Sequence, residues 1–214
     1  QKHVFCEKPL TLDVEEAEEL CELAEANNKK LVVGFTFLFN HGIKKLKSLY
    51  EVGDLGSIYY LTSVRTHMGL VREDVDVVGD LVPHDISIMN YILESTPEKV
   101  VAVGSKPLGT ERCDVAFISL FYPNGIIGEI HVSWINSKKE RLVSIIGSEA
   151  RAEFNDLDNM EPIRLFKKGI AKAEQVEPEY GNFQYLVRDG DIISPKIEIS
   201  EPLGQMLDSF VCAV

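Results

Sequence analysis

The stretch KHVFCEKPLTLDVEEAEELCELAEANNKKLVVGFTFLF, residues 2–39, decides the fold class. Residues 2–6 form a short apolar run that predicts a buried strand. Asp13 then stands as a helix N-cap, with Glu16 three residues on as its capping-box partner, and Glu15, Glu16, Glu18 and Glu19 suit the positive end of the helix dipole. Val14, Ala17, Leu20, Cys21 and Ala24 recur at helical spacing, and Asn27-Asn28 ends the run. Lys30 to Phe39 is a second continuous apolar run, read as a strand. Strand, helix and fully apolar strand make a βαβ unit, which requires parallel pairing and a right-handed crossover.

Outward from that unit the texture changes twice. His41 to Val52 is amphipathic and ends at Gly53; Ser57 to His67 alternates as a strand; Val71 to Gly79 reads as a loop carrying Asp74 and Asp76. Asp80 to Leu93 reads as a helix with Pro83 in its first turn, where proline is tolerated. From Glu98 the pattern is β, with strands expected at 98–106, 114–122, 126–136, 140–147, 150–155, 162–167 and 184–188. Pro123-Asn124-Gly125 between two apolar runs is a hairpin signal, because Asn and Gly accept positive φ. Strands joined by short turns imply an antiparallel sheet. The expected fold is the tail of a Rossmann-type parallel α/β domain (1–39) followed by an α+β domain (40–214) with a large, mostly antiparallel open sheet.

Composition narrows the function. The 214 residues hold 22 basic and 34 acidic side chains, a net charge of −12. That field repels phosphate backbones and anionic lipid, so neither nucleic acid nor membrane is an expected partner. Cys6, Cys21, Cys113 and Cys212 form no CxxC pair and read as buried free thiols of a reducing, cytoplasmic compartment. The chain opens at Gln1 directly into an apolar run and closes inside a helical pattern at Gln205–Cys212, so a fragment of a longer protein is expected.

The residues able to carry chemistry fall in three places. Glu7-Lys8-Pro9 ends a parallel strand, the edge where open α/β sheets bind ligands; there Lys8 is a charge, a proton donor, or a solvated turn residue. Asp80 and His84 are four apart on a helix and share a face. A carboxylate beside an imidazole makes a general base, and the bland counterpart is a capping Asp with a structural His. Asn40, Arg65 and His67 end predicted strands and could reach the same cleft, Arg65 offering bidentate geometry to an anionic or polyhydroxy ligand. Trp134, Phe117, Phe121 and Tyr122 read as core or interface. His3, His41, His67 and His131 show no ligand spacing around His84-Asp85, so no metal is expected. GxGxxG, P-loop, GxSxG and HExxH motifs are absent.

Taken in order, His3-Val4-Phe5-Cys6-Glu7-Lys8-Pro9-Leu10, Val33-Gly34-Phe35-Thr36-Phe37 with Asn40, Asp80-Leu81-Val82-Pro83-His84-Asp85, Val132-Ser133-Trp134, Ile146-Gly147-Ser148 and Glu201-Pro202-Leu203 resemble the Gfo/Idh/MocA family of NAD(P)-dependent oxidoreductases. Within it the Asp-Leu-x-Pro-His-Asp text looks most like sugar-nucleotide dehydrogenases. Gly79, Phe35 and His41 depart from the residues usual at those positions.

The resemblance implies hydride transfer between a sugar or nucleotide-sugar secondary alcohol and NAD or NADP. It implies a catalytic trio of Lys8, Asp80 and His84, with Glu7, Lys8 and Pro9 beside the cofactor and Asn40, Arg65 and His84 on the substrate. It also implies a homo-oligomer through the antiparallel sheet, and a segment upstream of Gln1 carrying the phosphate loop. A non-catalytic sugar- or cofactor-binding member, or an assembly protein of the same fold, is the alternative.

Overall fold

A computed structural model describes residues 2–69, 71–172, 185–198 and 201–214 of the chain. Strand β1 (Val4–Cys6) pairs in parallel with β2 (Leu31–Val33), Phe5 opposite Val32, and α1 (Val14–Ala26) connects them. Asp13 caps α1 as expected, its carboxylate accepting from the backbone of Glu15 and Glu16. None of the residues of α1 is buried, and Val14 and Leu23 are exposed, so the apolar face is left uncovered by the described residues.

The strand expected through Phe39 stops at Val33. Phe35 turns the chain, and Thr36–Phe39 form a single 3-10 turn. An apolar run has no periodicity to separate strand from helix, and here packing decided. Phe37 turns inward onto the second half of the molecule.

Asn40 caps α2 (His41–Glu51), and Gly53 follows it at φ 79°, the left-handed region that suits glycine. Next come β3 (Ile58–Met68) and α3 (Val77–Leu93). Helix α3 begins three residues before the expected start at Asp80, because Asp76 accepts the Gly79 amide at 2.8 Å and caps it there. Pro83 therefore lies inside the helix instead of in its first turn.

The β region holds β4 (Lys99–Ser105), β5 (Val115–Phe121), β6 (Ile127–Ser133), β7 (Ile135–Gly147), β8 (Arg151–Asn155), β9 (Ile163–Phe166), β10 (Gly169–Lys172), β11 (Tyr185–Arg188) and β12 (Ile192–Ile193). Residue 184, at the edge of one expected strand, lies outside the described residues. Among the described residues eight strands form one sheet in the order β12-β9-β8-β7-β3-β6-β5-β4, while β10 and β11 pair separately. Within the eight-stranded sheet, among the described residues, only the β3–β6 pair is parallel. The β5–β6 hairpin turns at Asn124 and Gly125, both at positive φ. Helix α4 (Pro202–Ala213) packs back on the first unit, where the Phe210 and Phe5 rings meet edge-on at 5.6 Å.

Helices α2 and α3 cover one face of the eight-stranded sheet. Leu46, Ile88 and Ile92 meet Leu61, Ile130 and Ile145 in the core, all fully buried. Each such burial contributes roughly 1.5–3 kcal/mol. Gly128 of β6 lets α3 approach, since a Cβ there would lie 2.7 Å from Met89 Sδ. Tyr60, Val103 and Phe117 on the opposite face are exposed. Trp134 and Tyr122 are core, whereas Phe117 stacks on His131 at that open face. The cysteines are free, but Cys21 and Cys212 are exposed and the other two only part-buried, which corrects the expectation of buried thiols. Their helices, α1 and α4, each bury little or nothing.

Candidate active site

Lys8 lies two residues beyond the end of β1, joined to Pro9 by a cis peptide bond. The end of β1 is fixed by Gly34, whose amide donates to the Cys6 carbonyl at 2.8 Å. A Cβ on Gly34 would sit 3.3 Å from the Glu7 carboxylate, so glycine lets the two strand ends close up. From this edge the Lys8 ammonium reaches α3, donating to the Asp80 carbonyl oxygen at 2.5 Å and lying 3.6 Å from the Asp80 carboxylate. Both side chains of that pair are largely buried. Residues 72 positions apart in the chain thus meet, and His84 is one helical turn further on.

The Asp80 carboxylate has three partners. Besides Lys8 it lies 3.4 Å from Arg72 Nη1 and accepts from Trp134 Nε1 at 3.3 Å. A hydrogen bond to His84, expected from the i, i+4 spacing, is not among its contacts, and among the described residues the buried Nδ1 of His84 has no partner. Two cations and an indole N–H are stronger claimants for a carboxylate than a neutral imidazole. Asp80 therefore orients Lys8, and His84 is held by packing: the Phe37 ring meets it edge-on at 5.2 Å, and the Arg65 guanidinium covers Phe37 at 4.4 Å.

Burial, with the charges of Arg65, Lys8 and Arg141, pushes the His84 imidazole down to about 3. Burial also lowers His67, with Asp80 pulling the other way. Both histidines line a cavity of about 370 Å³ together with Phe37, Arg65, Lys139 and Arg141.

Arg65 is in this cavity, but most of its donors are spent inside the protein. Its Nε donates to Asp85 Oδ2 at 3.0 Å and its Nη2 to Oδ1 at 2.9 Å, and Ser63 donates to the same carboxylate at 2.7 Å. Asp85 is fully buried. Asn40 lines neighbouring cavities and not this one; its oxygen accepts from Gly42 and its amide donates to Asp156 at 3.4 Å. Glu7 and Pro9 are exposed at the end of β1. The structure thus brings together Lys8, Asp80 and His84, with Arg65 and His67 beside them, and leaves Asn40 to one side. The sequence pattern does not single out Arg72, Lys139 or Arg141, and it places Trp134 in the core or an interface and not against Asp80. For Lys139 and Arg141 a signal existed: they are two apart on a strand and share a face.

A cationic, part-buried Lys-Asp-His cluster at a parallel strand's carboxyl edge is suited to holding a hydroxyl oxygen. Residues 43–153, over half the chain, match the GFO/IDH/MocA C-terminal domain. The chain belongs to the GFO/IDH/MocA oxidoreductase family. Residues 1–35 match the family's NAD-binding Rossmann fold.

The myo-inositol 2-dehydrogenase of Thermotoga maritima is 28% identical over 71% of this chain and 48% of its own length. The UDP-N-acetylglucosamine 3-dehydrogenase of Acidithiobacillus ferrooxidans is 28% identical over 78% of this chain and 51% of its own. The latter's crystal structure superposes with a TM-score of 0.78 at 23% identity, over 99% of this chain and 61% of that one. An inositol dehydrogenase homologue from Azotobacter vinelandii, solved with NADH and myo-inositol, gives 0.69 at 24% identity over 87% of this chain and 49% of that one. At these identities the structures show the shared fold. The chain spans about half the length of these two curated relatives. Among the described residues no helix is long and apolar enough to cross a membrane.

Proposed function

We propose that the protein carrying this chain transfers hydride between a secondary alcohol of a sugar or nucleotide-sugar and the nicotinamide of NAD or NADP. The observation that carries this reading is the contact of Lys8 with Asp80 one helical turn from His84, which lines an open cavity. Glu7, Lys8 and Pro9, at the carboxyl end of β1, fit one wall of a nicotinamide site, since ligands of open parallel sheets bind beyond that edge. The nicotinamide, when bound, supplies the hydride acceptor.

The residues divide the remaining work. Lys8 holds the alcohol oxygen and stabilises the negative charge that grows on it as the carbon–hydrogen bond breaks. Asp80 positions Lys8 through its carboxylate and backbone carbonyl. His84 takes the hydroxyl proton, so the alcohol loses a hydride and a proton and becomes a ketone. The unpartnered nitrogen of a neutral imidazole suits that acceptor role. Phe37 and Arg65 position the imidazole and wall the substrate side.

In this reading residues 1–39 complete a dinucleotide-binding domain and 40–214 form the substrate and assembly domain. The exposed apolar side chains of the sheet's open face support a homo-oligomer. The test is reduction of NAD or NADP by a panel of sugars and cyclitols. His84→Asn is expected to lower kcat by roughly 10²–10⁴, the range for a lost general base. Unchanged turnover in that variant removes His84 from its role.

A further inference from the structure

The cavity beside His84 runs against the charge of the whole molecule. The chain has 34 acidic side chains and 22 basic ones, yet Arg65, Lys139 and Arg141 line this cavity and no Asp or Glu does. The register makes the concentration of charge sharper: Arg65 of β3 stands directly opposite Arg141 of β7. Like charges in directly paired positions are destabilising, so this Arg pair needs anions; Lys139, an exposed residue of β7, lies outside the pair. Two of the three cations have an anion inside the protein, Arg65 in Asp85 and Arg141 in Asp156 at 3.1 Å. Lys139 does not.

Strand β7 alternates in a way that explains this. Lys138 and Glu140 pair with each other at 2.5 Å, while Lys139 and Arg141 line the cavity. Among the described residues Lys139 forms neither a hydrogen bond nor an ion pair.

We propose that the substrate of this site carries a negatively charged group, a carboxylate or a phosphate set away from the reacting hydroxyl, which Lys139 and Arg141 receive. The inference rests on the reading of Lys8, Asp80 and His84 as the place where a sugar hydroxyl is held. Lys139 supplies the free charge and Arg141 a guanidinium already oriented by Asp156, the geometry that favours planar oxyanions. The same anion offsets the positive field that, together with burial, holds His84 far below the range of a useful base. A neutral sugar leaves that field in place, so charge on the substrate serves recognition and proton transfer together.

The test is calorimetric titration of the chain with D-glucuronate, D-glucose 6-phosphate and D-glucose at low and high salt. At least one anionic sugar is expected to bind roughly tenfold or more tightly than glucose, about the effect of one added charge-assisted bond. That advantage is expected to shrink at high salt. A preference for glucuronate assigns a carboxylate; a preference for the phosphate ester assigns a phosphoryl group. Lys139→Gln, a change at an exposed strand residue, is expected to remove most of the advantage and to leave glucose binding as it was. Equal affinity for all three sugars, or an undiminished advantage in Lys139→Gln, overturns the inference while leaving the sugar site standing. Binding of none of them overturns the sugar reading, and this inference with it.

Discussion

His84 is where the local physics is most demanding. It is part-buried, one ring nitrogen has no partner among the described residues, and three cations act on it. The neutral ring is therefore the folded form, with its pKa down from 6.5 to about 3. Below about pH 6.5 the unfolded chain binds a proton that the folded chain refuses. The His84 contribution is therefore fully present above that pH and is lost as pH falls toward 3, at up to about 1.4 kcal/mol per unit. Denaturant titrations of the parent and His84→Gln across this window should differ in slope, with the parent losing stability faster toward acid. Parallel slopes would contradict the burial argument.

The sequence placed Lys8 after a strand and Asp80 and His84 on one helix face, and only the family resemblance grouped them as a trio; the structure shows Lys8 against Asp80. The way its members divide their contacts could not be read there. That Asp80 turns to Lys8, Arg72 and Trp134 depends on two cations and an indole N–H, two of the three brought in from distant segments. Arg65 likewise looked like a ligand-binding guanidinium until Asp85, twenty residues on, was found to hold it.

Among the elements, α3 carries most of the site, and its start depends on Asp76. The cap at Gly79 places Asp80 in the first turn and His84 in the second. Asp76→Ala should destabilise the fold by about 1 kcal/mol, the usual worth of an N-cap, as a lowered denaturant midpoint at unchanged m value. A change below a few tenths of that would mean that the packing of Ile88, Met89 and Ile92 alone sets the helix start. The alternating strands and the Asn124-Gly125 turn were legible because one sheet face is buried and the turn needs positive φ. The 3-10 turn at Thr36–Phe39 was not, since an aromatic-rich run satisfies strand and helix patterns equally. Nor was the parallel β3–β6 pairing, which follows from strand order in space and leaves no local mark.

At the scale of the molecule the eight-stranded sheet has one face under helices and the other bearing Val101, Val103, Phe117 and Tyr60 in the open. Exposed apolar side chains gathered on one sheet face fit a protein partner, and the proposal of a homo-oligomer assigns it. Phe117→Glu combined with Val103→Lys should shift the protein to monomer in light scattering without altering its circular dichroism. An unchanged mass would place the assembly surface elsewhere. Fold class and the order of the segments were readable from residues 2–39 and the β-rich remainder, since both rest on local periodicity. The charge of the cavity was not, because Arg65, Lys139 and Arg141 come together only once β3 and β7 pair.

The central claim is that Lys8 and His84 act on one hydroxyl of a bound sugar. A crystal structure of the protein with reduced nicotinamide and a bound sugar tests it most directly. The account predicts a single sugar oxygen within about 3 Å of both the Lys8 ammonium and the His84 imidazole. A sugar bound with no oxygen shared between those two groups would contradict it.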